Sequence, residues 1–181
     1  GEWTGVFTAD LIEPGRASGF LDDLRPGALE VPGVVYLALG CGVDQAAGLI
    51  EGVEGVTVSH DNCPHQSIVC GPPEGIEVVR ERVAEQRLMA QELPFRSGFH
   101  SPAFAPYLDI VHEHWAKMPL QAPRVPLWSA TTCEPYPDDP DAVRALAAEH
   151  LVEPVRFREL TERLHDAGTR VFVQLGVGSL V

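Results

Sequence analysis

The sequence predicts an α/β protein of two lobes, and three observations carry that prediction. Short apolar runs of strand length alternate with amphipathic helical stretches along most of the chain. Between Val34 and Phe99 these come in the order strand, helix, strand, strand, helix, strand, a complete supersecondary unit. Apolar residues make up 45% of the 181 positions against 22% charged, so the chain has the apolar surface to bury a core.

The elements follow in order. Gly1–Ala9 reads as the beginning or middle of a helix, with no capping residue or strand before it, as if cut from a longer chain. Val34–Leu39 is a continuous apolar strand, Asp44–Glu51 a helix with Ala46, Leu49 and Ile50 on one face, and Val56–Ser59 a second strand. The turn residues Asp61-Asn62-Cys63-Pro64 separate it from a third strand, Gln66–Gly71. A charged helix near Gly75–Ala90 turns Ile76, Val79 and Val83 inward, and Leu93–Phe99 is extended. This unit, 34–99, is ferredoxin-like in its order, and the flanking residues 1–33 and 100–181 form the other lobe, into which it is inserted.

Beyond it, Ser101 and Pro102 supply an N-cap and first-turn proline for a helix with the stripe Phe104, Leu108, Val111 and Trp115. Val125–Thr131 reads as a strand, Asp141–His150 as a helix, and Pro154–Ala167 as another with Phe157, Leu160 and Leu164 inward. Gly168 ends that helix, Arg170–Leu175 is a closing strand, and Gly176-Val177-Gly178-Ser179 is a tight glycine turn.

Composition excludes several function classes. With 13 Lys and Arg against 26 Asp and Glu, the net charge of −13 argues against binding nucleic acid, which needs clustered positive charge. No apolar run is long enough to cross a bilayer and no secretory leader opens the sequence, which makes the cytoplasm the expected location. Cys41, Cys63, Cys70 and Cys133 lie in apolar contexts with no CxxC pair, as reduced core thiols do. His60, Cys63, His65 and Cys70 have donors that zinc accepts, but not a zinc-site spacing, and strand alternation separates Cys70 from its neighbours. They read as core thiols and turn histidines, with no metal. His112 and His114, two apart on a helix, point to nearly opposite sides.

Six ordered segments resemble the acyltransferase domains of fatty-acid, polyketide and polyunsaturated-fatty-acid synthases, akin to malonyl-CoA:acyl-carrier-protein transacylase. Gly1-Glu2-Trp3-Thr4-Gly5 looks like the residues after the nucleophile motif G-H-S-x-G, with Gly1 as its last glycine. The run Asn62 to Gly71 is similar to N-S-P-x-Q-x-V-[IV]-x-G, and Phe99-His100-Ser101-Pro102 to the segment with the catalytic histidine. Pro126-Leu127-Trp128-Ser129 resembles P-x-[YW]-S, Glu153–Phe157 resembles [NE]-P-V-x-F, and Gly176-Val177-Gly178 stands where the family has G-P-G.

The resemblance implies a hydrolase-like large α/β lobe carrying the inserted ferredoxin-like lobe, with an active cleft between them. It also implies a two-step transfer of an acyl group from a coenzyme A thioester to a serine, then to the phosphopantetheine thiol of an acyl carrier protein. A serine hydroxyl needs an adjacent base, and His100 takes that role; the start of the following helix is expected to keep its ring neutral. The family's serine falls two residues before Gly1, and none of this chain's serines stands in a G-x-S-x-G context, so the isolated chain is expected to form no acyl-enzyme without an upstream segment.

Arg25 is the candidate partner of a malonyl carboxylate, with a solvated surface arginine as the alternative. Gly98 and Phe99 precede the base; a phenylalanine there crowds a branched α-carbon, which favours malonyl over methylmalonyl and leaves uncharged acyl groups open. His150 falls where the family orients the catalytic imidazole, or is a surface histidine at a helix end. Asn62 and Gln66 are expected to hydrogen-bond their turn. Arg80, Arg82, Arg87 and Arg96 are expected to offset the acidic charge toward the carrier protein, unless a tether does so. The rival reading is a non-catalytic docking module built on the ferredoxin-like unit.

Overall fold

The structure, a computed structural model, describes residues 33–94, 96–120 and 123–175. The element order begins β1 (Val35–Leu39), α1 (Val43–Ile50), β2 (Thr57–Cys63), β3 (Gln66–Gly71), α2 (Pro73–Glu85) and β4 (Ala90–Glu92). The strands form one sheet in the order β2-β3-β1-β4, every neighbouring pair antiparallel. Because β3 opposes both β1 and β2, those two run the same way with β3 inserted between them. That is the split arrangement expected of the βαββαβ order.

Both faces of the sheet are covered, which is why β1 reads as an unbroken apolar run. Leu37, Leu39 and Val69 pack with Ala46 and Leu49 of α1 and Ile76, Val79 and Val83 of α2. Alternation sends Val34, Tyr36, Ile68 and Cys70 to the other face, where they meet Phe104, Val111 and Leu151. Later elements therefore complete the core of the sheet. These are a 3₁₀ helix (Pro102–Tyr107), α3 (Leu108–Trp115), α4 (Pro140–Glu149) and α5 (Phe157–Asp166). All four cysteines are buried and free, as expected of core thiols. Among the described residues no helix is long and apolar enough to cross a membrane.

Several expected boundaries move. Asp61, Asn62 and Cys63 are strand, not turn; the reversal is confined to Pro64-His65. The β2–β3 register shifts between Val58 and His60 and again between Asp61 and Cys63. Each shift places one extra residue in β2, and such bulges break the period-two pattern that marks a strand. The charged helix starts at Pro73 and stops at Glu85, followed by Arg87 at a φ of 56°, and the last strand comes at Ala90–Glu92 rather than Leu93–Phe99. Leu93 still donates to the Tyr36 carbonyl at 3.0 Å, so the extended path continues past β4.

The stripe Phe104, Leu108, Val111, Trp115 is inward, but its first half is 3₁₀ with Pro106 inside it. Residues 125–131 form no strand beyond a single bridge from Trp128 to Pro135, because the chain turns through Ser129 to Cys133, whose φ is 56°. Helix α4 begins where Asp139 accepts from the Ala142 N–H at 2.8 Å. Helix α5 begins at Phe157 rather than Pro154, since Val155 is occupied in a parallel bridge to His60. It ends at Gly168 with φ 107°, as its sequence predicts. Residues 171–175 are exposed and do not form a strand among the described residues, where the sequence predicts a closing one. The expectations for Gly1–Ala9, Arg25 and Gly176–Ser179 lie outside the described residues.

Candidate active site

His100 has a φ of 60°, in the left-handed region that few non-glycine residues enter. Its conformation is pinned from α4. The backbone N–H donates to the Leu151 carbonyl at 2.8 Å, and ring Nδ1 lies 2.8 Å from the His150 carbonyl oxygen. These carbonyls are available because α4 ends there, and the last carbonyls of a helix lack intrahelical partners. A carbonyl only accepts, so Nδ1 carries the proton and Nε2 holds the lone pair of the neutral ring.

The approach to His100 is built from the sheet. Tyr36 of β1, 1% exposed, donates its hydroxyl to the Phe99 carbonyl at 2.6 Å. Gly98 takes a φ of 70°, and its carbonyl accepts from Ser101 Oγ at 2.8 Å. Ser101 therefore ties back the preceding loop and does not cap the helix as expected. The Phe99 ring packs against Phe104, centroids 4.7 Å apart, and lies 6.3 Å from the His100 ring.

Two more imidazoles touch His100. The His150 ring is 4.7 Å away and tilted by 60°; the His60 ring stands 5.0 Å away at 79°, nearly edge-on. His150 shares a 2.7 Å hydrogen bond through Nδ1 with Thr131 Oγ1. His60 Nδ1 lies 2.9 Å from Ser59 Oγ, whose own hydrogen goes to the Ile68 carbonyl at 3.2 Å, so Nδ1 of His60 is the donor. Burial, reinforced by repulsion among the rings, lowers His60 and His150 to about 4. Burial also lowers His100, against the opposing pull of the His150 and Glu153 backbone. The neutrality expected of His100 thus has a different cause. The helix after it is a six-residue 3₁₀ segment, and its ring bonds the C-terminal end of α4, which favours protonation; desolvation overrides this.

Of the residues expected at the site, Gly98, Phe99, His100 and His150 are brought together. His150 is half-buried against His100, which it meets both through its ring and, in the hydrogen bond to Nδ1, through its backbone carbonyl. His60, expected in a turn, is in β2 and belongs to this cluster. A readable sign of it was the polar run Ser59-His60-Asp61-Asn62 entering from an apolar strand. Asn62 does donate to Gln66 Oε1 across the turn, at 2.9 Å. No group of three His, Cys, Asp or Glu residues is arranged for a metal among the described residues. Arg80 and Arg96 both pair with Glu92, and Arg82 donates to the Leu49 and Glu51 carbonyls, so three of the four arginines expected to face a partner are engaged within the chain. A depression of about 460 Å³, with Leu39, Cys63, Gln66 and Met89 in its lining, shares no residue with the histidine cluster.

Comparison with known proteins shows the family of the chain. A family profile described as "Acyl transferase domain" matches residues 37–181. One subunit of a polyunsaturated fatty acid synthase from Thraustochytrium sp. is 29% identical over 127 residues, covering 67% of this chain and 4% of the relative. The acyltransferase domain of an iterative polyketide synthase in enediyne biosynthesis is 26% identical with a TM-score of 0.67, over 75% of this chain and 36% of that one. An acyl-carrier-protein S-malonyltransferase from Burkholderia pseudomallei shares the fold, with a TM-score of 0.70 at 24% identity, over 75% of this chain and 46% of that one. The chain spans less than half the length of each of these proteins, and its match to the family profile over residues 37–181 shows that it belongs to the acyl transferase domain family, with an α/β fold.

Proposed function

We propose that this chain forms the histidine-bearing part of a malonyl or other short-chain acyltransferase that moves the acyl group from coenzyme A to an acyl carrier protein. The observation that carries the reading is His100 held in a left-handed backbone conformation with ring Nδ1 2.8 Å from the His150 carbonyl oxygen. A left-handed non-glycine residue costs on the order of 1–3 kcal/mol, and since Arg87 and Cys133 share that conformation it is the anchoring of the His100 ring, together with the strain, that favours a poised base over a docking module.

In this reading Nε2 takes the proton of a serine hydroxyl supplied by an upstream G-H-S-x-G segment, as the oxygen attacks the thioester carbonyl. The tetrahedral intermediate collapses, the C–S bond breaks and coenzyme A leaves as thiol with that proton. A phosphopantetheine thiol then attacks the acyl-serine and gives its proton to Nε2; as the acyl C–O bond breaks, the serine oxygen leaves with that proton. Gly98 and Phe99 line the acyl group, Arg25 pairs its carboxylate, and His150 orients the base. The lobes divide as 34–99 and the remainder, with the reaction between them. Buried reduced thiols suit the cytoplasm.

The test joins the upstream serine segment to this chain and measures acyl transfer from malonyl-CoA to a carrier protein. His100→Ala is expected to lower kcat by about 10²–10⁴, the usual contribution of a general base. Unchanged transfer would remove His100 from the reaction.

A further inference from the structure

We propose that His60 is a positioning residue for His100: its ring, edge-on at 5.0 Å and anchored through Ser59, holds the His100 imidazole in the orientation that sets Nδ1–H on the His150 carbonyl. The inference rests on the reading of His100 as the base.

The hydrogen bond at Nδ1 fixes one edge of the His100 ring from the end of α4, and the edge-on contact of His60 braces the ring from a different element, β2. The backbone is shaped for the purpose. The extra residue in β2 between Val58 and His60 interrupts pairing with β3 at Ser59, and bulges re-aim side chains. The Ser59 carbonyl instead accepts from the Val155 N–H at 2.9 Å, and the Val155 carbonyl from the Asp61 N–H at 2.8 Å. This second ladder ties His60 to the connection between α4 and α5, just past the His150 and Leu151 carbonyls that hold His100. The anchor at Ser59, fully buried, keeps the ring from rotating. Among the neighbouring polar groups, His150 bonds Thr131, Asp61 pairs with Arg158, and the Glu153 backbone faces His100 itself. An edge-to-face contact is one of the favoured geometries of an aromatic pair, and Phe could reproduce it without the nitrogen atoms.

Nitrogen-15 NMR of the histidine rings in the 181-residue chain gives the tautomer and titration of His100 directly. The unmodified chain is expected to show one tautomer with the proton on Nδ1. His60→Ala should convert it to a mixture that protonates at higher pH, whereas His60→Phe should retain the single tautomer. If His60→Ala does not fold, His60→Gln keeps a donor for Ser59 without a ring and should show the same mixture. In the chain joined to the serine segment, His60→Ala should lower kcat about tenfold with KM unchanged, and His60→Phe should restore it.

A single unchanged tautomer in His60→Ala, or in His60→Gln where that variant stands in for it, would overturn the role of His60 while leaving His100 as base. Retained kcat in His60→Ala would do the same. The absence of the Nδ1–H tautomer in the unmodified chain would remove both readings together.

Discussion

Arg158 grips both carboxylate oxygens of Asp61 across 97 positions of sequence, with Nε 3.2 and 3.1 Å from them and a terminal nitrogen 3.0 Å from Oδ2. The pair clamps α5 onto the bulged end of β2, next to His60. The Asp61 side chain is 10% exposed and that of Arg158 32%. Removing the arginine leaves a nearly buried carboxylate without its partner. Arg158→Ala is expected to destabilise the chain by about 2 kcal/mol, below the full penalty of a buried pair because the arginine is partly hydrated. Urea unfolding measures this, and a loss under about 0.5 kcal/mol would place the pair among ordinary surface ion pairs.

The buried imidazoles make stability depend on pH with a definite sign. His60 and His150 titrate near 4 in the folded chain and near 6.5 when unfolded, so between those values the unfolded state binds more protons. Their contribution is complete above about pH 6.5 and is lost as pH falls through 4. The expected slope in that window is up to about 1.4 kcal/mol per pH unit for each histidine. Melting temperatures across pH 4 to 8 check it; His60→Phe should flatten the acid limb, and an unaltered limb would show that other groups set it.

Gly42 precedes α1 and lies against the Pro64-His65 turn. A Cβ added there would stand 2.6 Å from the Pro64 carbonyl oxygen, a backbone atom that cannot move without shifting the hairpin. Gly42→Ala is therefore expected to cost about 1–3 kcal/mol, as overpacking does. A neutral result in thermal unfolding would mean that the hairpin yields.

Tyr36 connects the sheet core to the loop that presents His100. Tyr36→Phe removes the hydroxyl from the Phe99 carbonyl and should lower stability by about 1 kcal/mol. The same change should broaden the His100 ring signals, because the loop loses its tie to β1. Sharp, unshifted signals would show that the contacts from α4 suffice alone.

The ferredoxin-like unit was legible because its period is regular: Leu37, Leu39 and Val69 alternate with Tyr36, Ile68 and Cys70 to two covered faces. Asp61 to Cys63 read as turn because two bulges in β2 interrupt that period, and Asn, Asp and Cys-Pro carry turn chemistry locally. Residues 125–131 look like a strand by composition but bend at Ser129, where side-chain and backbone bonds to Thr131 and Cys133 prevail over propensity. His100 was found through an ordered set of family segments. His60 was not, because its significance comes from a ring 40 positions away.

By itself, the sequence determined the order of elements around the sheet, the two apolar faces, the reduced thiols and the histidine after Phe99, since periodicity and local residue chemistry act over a few neighbouring positions. Only the tertiary structure decided that His100 adopts a left-handed backbone, that its proton sits on Nδ1, and that His60 and His150 converge on it. Those outcomes depend on where a helix ends relative to a bulged strand, and desolvation and ring contacts follow from that packing rather than from any local pattern.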